Sequence, residues 1–182
     1  MIVEETELKG VVILKPDVYA DERGYFFESY NKEKYNKYSI PSEFVQDNIS
    51  KSKKNTVRGL HYQIGNFAQG KLCHVVYGKV LDVAVDLRNS SPTFGKYTAA
   101  ELSDENHYQI WIPIGFAHGF AVLSNEAIFH YKCTQIYNKE HERALYYADK
   151  NLNINWKVIE PLVSEKDRNA MVFKDIGNNT FI

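Results

Sequence analysis

Short runs of alternating apolar and polar residues recur along the chain, separated by glycine-, asparagine- and aspartate-rich punctuation, and this pattern predicts an all-β domain. The clearest run is Lys79–Leu87, in which Leu81, Val83, Val85 and Leu87 share one face and Asp82, Ala84 and Asp86 share the other. Strands are also predicted at Gly24–Tyr30, after a polar turn at Ala20–Arg23, and at Val57–Gln63 and Lys71–Tyr77. Further strands follow at Tyr97–Leu102, Gln109–Pro113, Gly119–Leu123 and Ala127–Thr134, with Ser90–Gly95 as a loop. Tyr77-Gly78-Lys79 reads as a tight hairpin. Closely spaced short strands of this kind point to a sandwich or barrel. Helix is sparse. Asn31–Tyr38 reads as a short helix capped by Asn31, and Ser164-Glu165-Lys166-Asp167 has the form of a capping box with aspartate at its last position. The tail, Gly177–Ile182, is expected to be poorly ordered.

Composition narrows the class. At 182 residues and 44% hydrophobic, the chain suits one domain, 1–182, with its own core and no disulfide framework. Lysine and arginine number 22 against 23 acidic residues, a formal net charge of −1, which lacks the global basic field of a general nucleic-acid binder. Cys73 and Cys133 lie inside apolar runs and read as buried free thiols in a reducing compartment. The start, MIVEETELKG, is acidic and without a long apolar core, so no secretory leader is expected. The longest apolar stretches, such as Gly115–Leu123, fall short of the ~20 residues a membrane span needs. A cytoplasmic protein that binds neither nucleic acid nor membrane is the expectation.

Among candidate chemical groups, His61 stands in Arg58-Gly59-Leu60-His61-Tyr62-Gln63 and His118 in Pro113-Ile114-Gly115-Phe116-Ala117-His118. Either residue alone is equally readable as a buried, hydrogen-bonded histidine without chemistry. Pro-x-Gly-x-x-His, however, resembles the second motif of the cupin barrels, whose histidine often binds a metal. Their first motif offers His-x-His and then a glutamate; here it reads His61-Tyr62-Gln63, and no glutamate follows before Gly70. Most ligands of a transition-metal site are thus missing, and no metal is expected. A metal-free histidine in a barrel mouth is suited to be a general base, its ordinary pKa of ~6.5 lying near working pH. Strand alternation places Tyr131 on one face with Phe129 and Cys133, either as a core ring or as a proton donor. Lys71 and Arg58 offer positive charge to an oxyanion or phosphate, or to solvent alone. An ideal strand would send Arg58 and His61 to opposite faces; a bulge at Gly59 would bring both to one pocket.

Together these residues resemble the dTDP-4-dehydrorhamnose 3,5-epimerases, metal-free cupin enzymes that act on a nucleotide-linked keto-sugar. The likeness runs from Leu8-Lys9-Gly10-Val11 to Ser164–Asp167 and rests on seven motifs in order: Asp21–Glu28, Phe44–Asn48, Val57–His61, Gln69–Leu72, Asp82–Arg88, Trp111–Pro113 and Gly115–Phe120. It implies a cupin-like jelly-roll sandwich or barrel with a few short peripheral helices, no cofactor, and a homodimer. It further implies His61 as catalytic base, Asp167 as the carboxylate that orients it, Tyr131 as proton donor and Lys71 as partner of the enolate oxygen. Arg58 and His118 would line the same pocket. Arg23, Glu28, Gln46, Asp47 and Asn48 match nucleotide-holding positions, Phe26 would stack on thymine, and Glu142 and Lys166 match further substrate contacts. Two other readings stay open at this point: an epimerase of one carbon or of another nucleotide-linked keto-sugar, and a cupin-shaped binding protein without turnover.

Overall fold

The computed structural model describes residues 1–41 and 43–181. Thirteen strands appear among them: β1 Ile2–Glu5, β2 Val12–Lys15, β3 Tyr19–Asp21, β4 Gly24–Phe26, β5 Gln46–Lys53, β6 Val57–Gln63, β7 Lys71–Tyr77, β8 Lys79–Asp86, β9 Tyr97–Ser103, β10 Gln109–Ile112, β11 Phe116–Val122, β12 Glu126–Cys133 and β13 Glu142–Ala144. Two short helices accompany them, α1 Lys32–Asn36 and α2 Glu165–Arg168. Six strands form one antiparallel sheet in the order β1-β2-β10-β7-β12-β5, and five form a second in the order β13-β6-β11-β8-β9. β3 and β4 make a separate hairpin. This is the expected cupin-like sandwich.

The period-two pattern explains the layers. Cys73, Val75, Ile110, Ile112 and Phe129 from the six-stranded sheet meet Val80, Ala84, Phe116, Phe120 and Val122 from the five-stranded sheet in the central core. Leu81, Val83, Val85 and Leu87 point the other way, yet they are also buried, because Leu152, Trp156, Val163 and Ile176 of the C-terminal segment cover them. The outer face of the larger sheet buries Leu14, Leu72 and Trp111 under Tyr35 of α1 and Ile40. Within the C-terminal run, Phe181 exchanges backbone hydrogen bonds with Leu87 and Asn89, while Ile182 lies outside the described residues.

Several elements differ from the pattern reading. Tyr77-Gly78-Lys79 is a corner and makes no hairpin: β7 pairs with β10 and β12, whereas β8 pairs with β9 and β11, so the turn passes the chain from one sheet to the other. Gly78 has φ +82°, and a Cβ there would lie 2.2 Å from the Glu126 carbonyl oxygen. The aromatic run at Gly24–Tyr30 is a strand only over Gly24–Phe26, paired with β3 where a polar turn was expected. Strands β1, β2, β5 and β13 were not anticipated.

Candidate active site

A bulge builds the site. Between β6 and β11, His61 pairs with His118 and Arg58 with Phe120, so three residue steps on β6 match two on β11. Gly59 takes φ +120°, and a Cβ on it would lie 2.6 Å from Gly119 Cα and 2.7 Å from the His118 carbonyl oxygen. The extra residue turns both Arg58 and His61 into one cavity of about 350 Å³ between the sheets. Arg58 Nε donates to Ser52 Oγ at 2.9 Å, which fixes its direction.

His61 lies 2.6 Å, through Nε2, from Oδ1 of Asp167. Ser164 caps α2 by accepting from the Asp167 amide, as the sequence suggested. The Asp167 carboxylate itself turns to His61 and to the Gly59 amide, so only half of the capping box is used for capping. Burial would raise this carboxyl, but the His61 bond and charge, with the Gly59 amide and Ser164, hold it below the ordinary range. Tyr131 on β12 faces the same cavity, and burial pushes its phenol up to about 12, which keeps it protonated. Lys71 at the start of β7 is only 8% exposed; its Nζ donates to the His61 carbonyl at 3.4 Å and lies 5.8 Å from the Tyr131 ring centre. A buried ammonium with so few partners is placed to meet a developing negative charge.

The remaining expected residues divide. Gln46, Asn48, His118 and Glu142 line the cavity. Lys166 bridges to Glu142 at 2.5 Å and borders an adjoining depression with Arg58, His61 and Arg168. Burial would raise Glu142, and Lys166 and Tyr137 bring it below the ordinary carboxylate range. Asp47 stands apart from the cavity, because alternation along β5 turns it to the outer face, where Lys132 holds it at 2.8 Å. Arg23 and Phe26 ride on the β3–β4 hairpin beside a separate shallow depression. The Arg23 guanidinium bonds Asp21, and Glu28 bonds Asn31 and Lys34, all at the surface. Ser50, Gln63, Gln69, Cys133 and Tyr137 also line the cavity, although the sequence reading gave none of them a role in binding or catalysis. Alternation from Gln46 and Asn48 would have found Ser50 once β5 was drawn as a strand.

Comparison with known proteins accords with this geometry. The sequence model of dTDP-4-dehydrorhamnose 3,5-epimerases matches residues 5–175. The chain belongs to the dTDP-4-dehydrorhamnose 3,5-epimerase family. A dTDP-4-dehydrorhamnose 3,5-epimerase of Shigella flexneri is 53% identical over 96% of this chain and 97% of its own. The crystal structure of a dTDP-4-dehydrorhamnose 3,5-epimerase from Elizabethkingia anophelis is 51% identical with a TM-score of 0.92, covering 96% of this chain and 97% of that one. A dTDP-6-deoxy-D-glucose-3,5-epimerase from Legionella pneumophila, solved with dTDP-4-keto-L-rhamnose, is 46% identical with a TM-score of 0.94, covering 98% and 95%. Family membership and cavity geometry thus agree on an isomerase scaffold. No helix among the described residues is long and apolar enough to cross a membrane.

Proposed function

We propose that this protein inverts carbons 3 and 5 of a dTDP-4-keto-6-deoxyhexose by proton exchange through an enolate. The observation that carries the reading is the convergence of a carboxylate-backed imidazole, a protonated phenol and a buried ammonium on one cavity. The ketone at carbon 4 acidifies the hydrogens on its neighbours, because deprotonation spreads charge onto the ketone oxygen. His61, oriented by Asp167, takes the proton, and Lys71 meets the enolate oxygen. Tyr131 delivers a proton to the opposite face, and solvent restores both groups before the second carbon reacts. None of these steps calls for a redox cofactor, and with Gln63 where a cupin metal site has histidine, no metal is required. Gln46, Asn48, Glu142 and Lys166 then hold the substrate, with Arg58 directed at the diphosphate.

The reading includes a homodimer in the cytoplasm. Arg23 and Phe26 match nucleotide-holding positions yet stand exposed on the hairpin, Phe26 at 66%. A second copy that presents this hairpin to the cavity would complete the nucleotide site and cover Tyr19 and Tyr25 as well. Incubation with dTDP-4-keto-6-deoxyglucose followed by NMR of the product tests the activity. The expected product is dTDP-4-keto-L-rhamnose; recovery of unchanged substrate, despite a thermal shift with dTDP, would indicate a binding protein.

A further inference from the structure

The loop between β12 and β13, residues 134–141, carries Tyr137 to the rim of the cavity. The Tyr137 phenol donates to Glu142 Oε2 at 3.0 Å, and Glu142 also holds Lys166. Both ends of the loop are pinned through backbone groups. The Thr134 amide donates to the Gly70 carbonyl and the Ile64 amide to the His141 carbonyl, each at 3.0 Å. Between those ends, glutamine side chains from the cavity wall tie down the loop backbone. Gln69 Nε2 donates to the Gln135 carbonyl at 2.7 Å, and Gln46 Oε1 accepts the Tyr137 amide at 2.8 Å. Gln63 takes both sides of Tyr137: its Oε1 accepts the Asn138 amide at 2.6 Å, and its Nε2 donates to the Ile136 carbonyl at 3.4 Å.

Gln63 suits this task by type and by place. It follows His61 by two residues on β6, lines the same cavity and is 3% exposed. An amide head carries a donor and an acceptor, and each meets a backbone group of the opposite kind, which fixes its orientation. Gln63 thus pairs with the two peptide groups that flank Tyr137, as a peptide group of a neighbouring strand would. A carboxylate would lack the donor, and a hydrocarbon would lack both groups. Tyr137 is 50% exposed and Ile136 53%, so burial does little to order this stretch. The side-chain bonds do it instead. A ring held in place before binding spares the complex the cost of ordering it.

We propose that Gln63 is a positioning residue for the substrate: by clamping the backbone on both sides of Tyr137, it presents that ring, bonded to Glu142, as a preformed wall of the cavity. This rests on the functional reading above, and the test separates the two. In the free protein, Gln63→Leu should speed amide exchange at both Asn138 and Tyr137 about tenfold or more. The Val57 amide of β6, bonded to the Leu162 carbonyl, should keep its rate. An unchanged rate at Tyr137 overturns the clamp whatever the substrate is. For the keto-sugar, Gln63→Leu should raise KM about fivefold or more, with kcat within about twofold of wild type. Tyr137→Ala should raise KM by a similar factor, and the double variant should be no worse than either single one, because both act through one contact. Effects that multiply, or a fall in kcat at unchanged KM, overturn the proposal. The loop backbone is open to water, so Gln63→Leu should fold. Should it not, Gln63→Asn, whose amide is too short to reach both groups, takes the same measurements. If wild type turns over no keto-sugar, the functional reading falls, and calorimetric binding of dTDP-4-keto-6-deoxyglucose replaces KM in the same comparison.

Discussion

Tyr131 separates abstraction from inversion. Phenylalanine at this position preserves the packing against Phe129, whose ring centre lies 6.0 Å away, so the fold should survive with a loss below about 1.5 kcal/mol. His61 and Lys71 would still form the enolate in Tyr131→Phe, but no acid would stand on the far side. The variant should therefore wash solvent deuterium into the sugar while producing much less epimer; inversion at the wild-type rate would show that the acid lies elsewhere. Because burial holds the phenol at about 12, the ratio of inversion to exchange in wild type should stay constant from about pH 7 to about pH 10. His61→Ala should abolish exchange at both carbons, since one base serves both abstractions. Lys71→Ala should bind dTDP almost normally and turn over roughly 10²-fold more slowly or worse, its partner charge existing mainly on the enolate. At this scale residue type and alternation brought His61, Lys71 and Tyr131 forward only as candidates, each equally readable as a packed or solvated side chain, and the resemblance of their surrounding motifs supplied the roles. Gln63 was read only as a missing metal ligand, and Gln69 and Tyr137 were given no site role, because amides and tyrosines are ordinary surface residues until the fold points them inward.

Among the elements, β6 depends on its glycine. Any side chain at Gly59 meets the Gly119 backbone and must adopt positive φ, so Gly59→Ala should cost about 2 kcal/mol or more and displace His61 from Asp167. Chemical denaturation and kcat would both register it; a fully active and stable Gly59→Ala would contradict the bulge. The apolar alternation revealed β6, β7, β8 and β12 because each buries at least one apolar face. β5 escaped for a physical reason: its inward residues are polar, Gln46, Asn48 and Ser50 lining the cavity and Ser52 buried against Arg58, and its outward ones are mostly charged. It also sits at the sheet edge, where polar residues are the norm. The strand that departs most from the hydrophobic pattern is thus one that lines the site. The corner at Gly78 misled in the opposite way, since a two-strand turn and a sheet-to-sheet turn share the same glycine signal.

For the whole molecule, the sandwich and its closed core were legible, and the division of Arg23, Phe26 and Glu28 from the cavity was not. Chain order places them beside the other motifs, but among the described residues β3 and β4 pair only with each other. If a second copy brings the hairpin to the cavity, Arg23→Ala should raise KM for the nucleotide sugar severalfold with little change in kcat. Mixing inactive Arg23→Ala/His61→Ala double-variant subunits with wild type should then yield fewer competent sites than the count of wild-type subunits. Exhaustive chelation should leave the rate unchanged; a loss restored by one particular divalent ion would show that a metal takes part. The central claim is that one cavity exchanges the hydrogens on both neighbours of the ketone. Its most direct test is to incubate the protein with dTDP-4-keto-6-deoxyglucose in D₂O and weigh the product by mass spectrometry. Two deuterons in the epimerised sugar are predicted; one would mean a single inverted carbon, and none would contradict the account.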